Sequence, residues 1–242
     1  MLPRLGGVMK TWLLVVLLLA TRAQAIDCAK PEGSTAYGVA SQSAEARLSY
    51  LSKLLDEEGQ AARRWTLIWG GSYGLLTVAQ LGVMSLFPAN EQPDWYWGAL
   101  STAVGVAFSV LDPLEVLSSG ATFAKRAAVA TPEETCQLIA DGERMLAEGA
   151  EHEELGTRWF IHAGNVLFNV GIGLVLGLGY GRWTSGIINA AVGVAIGEAT
   201  IFSSPTRLIS GWKKYRAGEP SSGVAVHVIP TAGPGLGVLV TF

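Results

Sequence analysis

Between Arg158 and Ser203 the chain carries two apolar runs, RWFIHAGNVLFNVGIGLVLGLGYG and TSGIINAAVGVAIGEATIFS, divided only by Arg182-Trp183. Each is about 20 residues long, enough to cross a bilayer as a helix. A fainter copy of the same hairpin runs from Trp65 to Leu117. The chain therefore reads as an all-α membrane protein built from two tandem helical hairpins, four transmembrane helices in all.

Composition agrees. Of 242 residues, 50% are hydrophobic and only 15% are charged, against about 25% charged in soluble domains. Half of the 30 glycines lie inside the two hairpins, which suits close helix packing in lipid. A net charge of −3 and a pI near 5.7 give no reason to expect nucleic acid as a partner. The partner implied is the lipid bilayer, with other envelope proteins or a second copy of the chain as further candidates.

Residues 1–25 read as a signal peptide. Arg4 and Lys10 supply the basic start, TWLLVVLLLA the apolar core, and Ala23-Gln24-Ala25 the cleavage site. An uncleaved anchor is the alternative, and Cys28 raises a lipoprotein reading that the preceding Asp27 does not suit. The first repeat covers 26–128 and the second 129–217, each hairpin preceded by a polar or amphipathic helix. In residues 41–62, Ala44, Leu48, Leu51, Leu54 and Leu55 fall at helical spacing, as in a helix lying on something rather than spanning it. Arg63-Arg64-Trp65 opens the first apolar run and Phe87-Pro88 ends it. Trp95-Tyr96-Trp97, an aromatic cluster of interface type, opens the second. Asp112-Pro113-Leu114-Glu115 reads as a helix break and restart. Thr131-Pro132-Glu133-Glu134 starts a polar helix reaching about Glu154. Residues 218–242 change character. Val224, Val226 and Val228 alternate with Ala225 and His227, and a Gly/Pro turn leads to VLVTF, a β-hairpin-like tail. That last run, closing on Phe242, resembles the terminal strand of bacterial outer-membrane proteins.

The duplication is read from matched positions. Arg64-Trp65 maps onto Arg158-Trp159 at an offset of 94. Trp95, Gly98 and Ala103–Ala107 map onto Trp183, Gly186 and Ala191–Ala195 at an offset of 88. Two crossings per copy return the chain to its starting side, as in transporters with parallel repeats. Small residues recur at fourfold spacing, among them Ser101, Gly105 and Ser109 in one copy and Gly173 and Gly177, with Gly193 and Gly197, in the other. Such faces are expected to pack the two hairpins against each other.

Catalytic and metal signatures are missing from the sequence. His152-Glu153 does not continue to HExxH, because Gly156 stands where the second histidine belongs, and two cysteines 108 residues apart form no zinc pattern. No cofactor is implied. One constellation stands out: Arg158, His162, Asn165 and Asn169 step by four, three and four down the third run, and Asn189 on the fourth could meet them. Interior polar side chains of a membrane protein either hold helices together or line a path. Glu198 lies half a turn from Asn189 and is placed near the interface. Cys28 and Cys136 each precede a hairpin on the same side, outside the cytoplasm after export, and are expected to form a disulfide.

The expected function is non-enzymatic, a structural or assembly role in a bacterial-type cell envelope. The rival is a small channel or transporter subunit using the polar stripe, and an intramembrane enzyme comes third. Export places Arg63, Arg64, Lys125, Arg126, Arg158, Lys213 and Lys214 on the outer side of the helices. The interhelical loops carry Glu91, Asp94 and Arg182. For an inner-membrane protein this inverts the positive-inside rule. The outer membrane is therefore favoured slightly over the inner.

Overall fold

The computed structural model describes residues 26–31, 39, 42–111, 116–218, 225–230 and 236–241. The expected signal peptide, the break expected at 112–115 and the closing Phe242 lie outside them. In chain order the helices are α1 (Ala44–Met84), α2 (Gln92–Leu111), α3 (Val116–Ala127), α4 (Pro132–Gly156), α5 (Trp159–Leu174), α6 (Trp183–Phe202) and α7 (Arg207–Ala217). Strands Ala225–Pro230 and Leu236–Thr241 pair antiparallel, Val226 opposite Val240.

α1 has 41 residues and runs without a break through Arg63-Arg64. The amphipathic helix and the first apolar run, expected as two elements, are one. Arginine is a good helix former and both side chains are exposed, so nothing there stops the hydrogen-bond ladder. The Ser43 hydroxyl caps the start by accepting from Ala46 N at 3.2 Å. The two halves bury different things. Ala44, Leu48, Leu51, Leu55 and Ala62 form a buried stripe, whereas Leu75 beyond Trp65 is 72% exposed.

That buried stripe organises a polar headpiece. α4, with Pro132 at its first turn and the Thr131 N–H bonded to Glu134 Oε2 at 3.1 Å, lays Leu138, Ile139 and Leu146 against it. Phe123 of α3 and Leu208 and Tyr215 of α7 complete the core. Inside it, Arg47 is 2% exposed and reaches Glu143 Oε1 at 2.5 Å, Tyr215 Oη at 3.1 Å and Ala29 O at 2.7 Å. The Tyr215 hydroxyl donates to the same Glu143 oxygen. A buried charge is tolerable only when paired and hydrogen-bonded in this way. The cluster fastens the N-terminal segment, and Cys28 and Cys136 stand at disulfide distance, 2.05 Å between sulfurs.

The remaining helices turn apolar side chains outward. Leu167 is 72% exposed, Ile187 66% and Phe202 79%, far beyond what soluble surfaces carry in one patch. Three stretches, Ala44–Met84, Trp159–Gly179 and Trp183–Ala217, are long and apolar enough to cross a membrane. α2 is not among them, because Asp94 and three aromatic rings at its start dilute its hydropathy.

Candidate functional site

α5 leaves the headpiece at Arg158 and widens into a π-helical turn at Val175–Gly179. It reverses at Gly181, where φ is +69°, a conformation that favours glycine. α6 then returns alongside it. The pairing is built from polar knobs and glycine holes. A Cβ at Gly197 would collide with the Asn165 amide oxygen, and one at Gly193 with that of Asn169. Nearer the turn the two backbones touch, so that a Cβ at Gly173 would lie 2.7 Å from Gly186 O.

In this register His162 Nδ1 and Glu198 Oε2 are 2.6 Å apart. Asn165 Nδ2 donates to Glu198 Oε1 at 3.0 Å and to Val194 O at 3.1 Å. Asn169 Nδ2 donates to Asn165 Oδ1 and to Asn165 O, both at 2.9 Å. Ser101 Oγ of α2 donates to Asn169 Oδ1 at 3.3 Å, the link to the first hairpin. The result is a hydrogen-bonded chain from His162, at the headpiece end, to Ser101. The His162 and Glu198 side chains are 27% and 24% exposed, and the Phe202 ring lies 5.1 Å from the imidazole. Past Asn169 the α5–α6 seam is apolar: the Gly173–Gly186 crossing follows, and Ile172 and Leu176 are buried.

Three of the five stripe residues, His162, Asn165 and Asn169, are thus brought together. Arg158 is not. It stands at the N-cap of α5, exposed, 3.7 Å from Glu154. Asn189 sits one helical turn nearer the reversal, its amide oxygen beside Gly98 of α2. Glu198, expected near the interface and off the face of Asn189, joins the stripe, because the angle that matters is to α5. Ser101 was also missed as a member of the network. The fold-back register gives the signal for Glu198: it lies nearly as far after Gly181 as His162 lies before it.

The glycine faces also work differently from expectation. Apart from Ser101 and Gly98, which also meet Asn169 and Asn189, they serve contacts within each hairpin: Gly105 lies under the Tyr73 ring, Gly98 under Gln80, and Gly70 against Ser109. The hairpins meet through hydrogen bonds instead. Trp65 Nε1 donates to Thr200 O at 3.2 Å, Trp69 Nε1 to Ser203 Oγ at 2.9 Å, and Tyr73 Oη is 2.7 Å from Thr200 Oγ1. At the opposite end Arg182 grips both oxygens of Asp94 at 2.7 and 2.5 Å and the Asn90 carbonyl at 3.0 Å. Among the described residues no three His, Cys, Asp or Glu side chains converge in a metal-binding geometry.

Comparison with protein-family models, with curated proteins and with solved structures found no match.

Proposed function

We propose that the chain is a non-enzymatic integral membrane protein of a bacterial-type cell envelope. Its role is structural or in assembly: a disulfide-tied headpiece carried on a four-helix anchor. The observation that carries this reading is the course of the polar chain. From His162 to Ser101 each member is engaged with the next, and the α5–α6 seam beyond Asn169 is glycine-packed and apolar. Such bonds hold helices together at about 1 kcal/mol each in a membrane.

Four crossings are supported by length. α2 and α6 have 20 residues each, Trp159–Gly179 has 21, and Trp65 to Met84 matches them. At 1.5 Å per residue each is about 30 Å, the hydrocarbon thickness. Aromatic residues mark both ends, Trp65, Trp69 and Trp159 at one and Trp95, Tyr96, Tyr180 and Trp183 at the other. Duplication is supported by the close approaches. Gly98, Gly105 and Ser109 of α2 are the touching points of the first hairpin. Gly186, Gly193 and Gly197, each at the offset of 88, are those of the second.

The test is ion flux across liposomes carrying the reconstituted protein. His162→Ala and Asn165→Ala are expected to lower the melting temperature by several degrees while flux stays at the level of empty liposomes. The second reading, a channel or transporter subunit, is favoured by the His162–Glu198 pair, open at the headpiece end. Flux in the parent protein that both variants abolish would establish it instead. For location, the outer membrane remains first and the inner second, and separation of the two membranes on a sucrose gradient decides between them.

A further inference from the structure

Two carboxylates are buried where the headpiece joins the membrane helices. Glu58 of α1 has no exposed surface and Glu153 of α4 is 6% exposed. Both face the first turn of α7. The Arg207 backbone N–H donates to Glu58 Oε1 at 3.3 Å, and that of Ile209 to Glu153 Oε2 at 3.2 Å. Donors two residues apart at one helix end lie within a few ångströms of each other, so the carboxylates are neighbours. Glu58 Oε2 is buried and accepts no hydrogen bond from any described residue.

The charged surroundings do not balance the pair. From α7, Arg207 stands 3.9 Å from Glu58 Oε2 while its Nη2 bonds Glu57 of α1 at 2.9 Å. From α4, Glu154 is turned to Arg158 at the head of α5, and His152 has its own contacts. Tyr50 of α1 donates its hydroxyl to Gly211 O at 2.9 Å. One guanidinium therefore serves Glu57 and Glu58, while Glu153 is held by the Ile209 backbone N–H. Burial, then the charge of Glu58, raise the Glu153 carboxyl to about 8.

The ligand that relieves this site is decided by its neighbours. A metal ion would have to sit against the Arg207 guanidinium and the positive end of α7, both repulsive. A proton needs no extra ligands, and it turns one carboxylate into the donor that Glu58 Oε2 lacks. We propose that Glu58 and Glu153 form a proton-binding site in which one proton, carried by Glu153 and shared with Glu58, clasps the start of α7 to α1 and α4. The proton exchanges with solvent and nothing is oxidised or reduced. Losing it leaves two buried anions side by side, and the clasp loosens.

The protonated-carboxyl stretch in the infrared spectrum of the full-length protein in detergent reads this directly. A band present at pH 6.5 is expected to titrate away with a midpoint near 8 and to vanish in Glu153→Gln. Glu58→Gln removes the neighbouring charge and should move the midpoint down by at least one pH unit. The melting temperature of the parent protein should fall as pH rises from the ordinary carboxylate range to that midpoint and level off above it, and should fall less in Glu153→Gln. A neutral-pH spectrum without the band, or a band indifferent to both substitutions, overturns the proposal. If Glu153→Gln does not fold, the Glu58→Gln midpoint alone decides, and an unmoved one overturns it.

Discussion

Asn169 and Gly193 are two halves of one contact, and neither can be understood without the other. The amide oxygen occupies the volume a side chain at 193 would need. Gly193→Leu is therefore expected to destabilise the protein by about 2 kcal/mol or more, the cost of over-packing. Gly171→Leu, where nothing lies within 4 Å of the new Cβ, should stay within about 0.5 kcal/mol. Thermal melting in one detergent compares the two, and equal tolerance would remove the knob-and-hole account. This contact also shows what a sequence discloses of a membrane site. Spacing alone set His162, Asn165 and Asn169 on one face, because helical periodicity is local. Their partner Glu198 required the register of the fold-back, which Gly181 and Arg182 mark. Ser101 required the packing of two hairpins, which no local pattern encodes.

Among the elements, α4 was fully legible, since Thr131-Pro132-Glu133-Glu134 is a start signal whose chemistry acts within one turn. α1 was not. Its change from amphipathic to apolar at Arg63-Arg64 looked like a boundary, but a change of environment is not a break in a helix. The approach to the second hairpin does break, at Thr157–Arg158, where Arg158 turns to extended backbone (ψ 151°). The headpiece elements are tied by the Cys28–Cys136 link, which closes a loop of 108 residues. In the chain-entropy model such a loop contributes about 4 to 5 kcal/mol. Mass spectrometry without reductant should find the two thiols linked, and Cys136→Ser should lower the melting temperature by more than 5 °C. Two free thiols in the native protein would contradict the link.

For the whole molecule, the proposed four crossings put both interhelical turns on the side away from the headpiece. Single cysteines introduced at Asn90 and at Lys213 should therefore react with a membrane-impermeant thiol reagent from opposite sides of sealed vesicles. Labelling of both from one side would remove at least one crossing. The continuity of α1 then matters mechanically. With its fulcrum near Trp65, the helix is a lever with arms of about 30 Å on each side. A tilt of about 10°, a response to mismatch between apolar length and bilayer thickness, would swing the far arm by about 5 Å. α5 begins after Arg158 and α6 ends at Phe202, so neither continues into the headpiece as α1 does. Under the proposed crossings, the continuity of α1 couples tilt inside the membrane to displacement of the headpiece outside it.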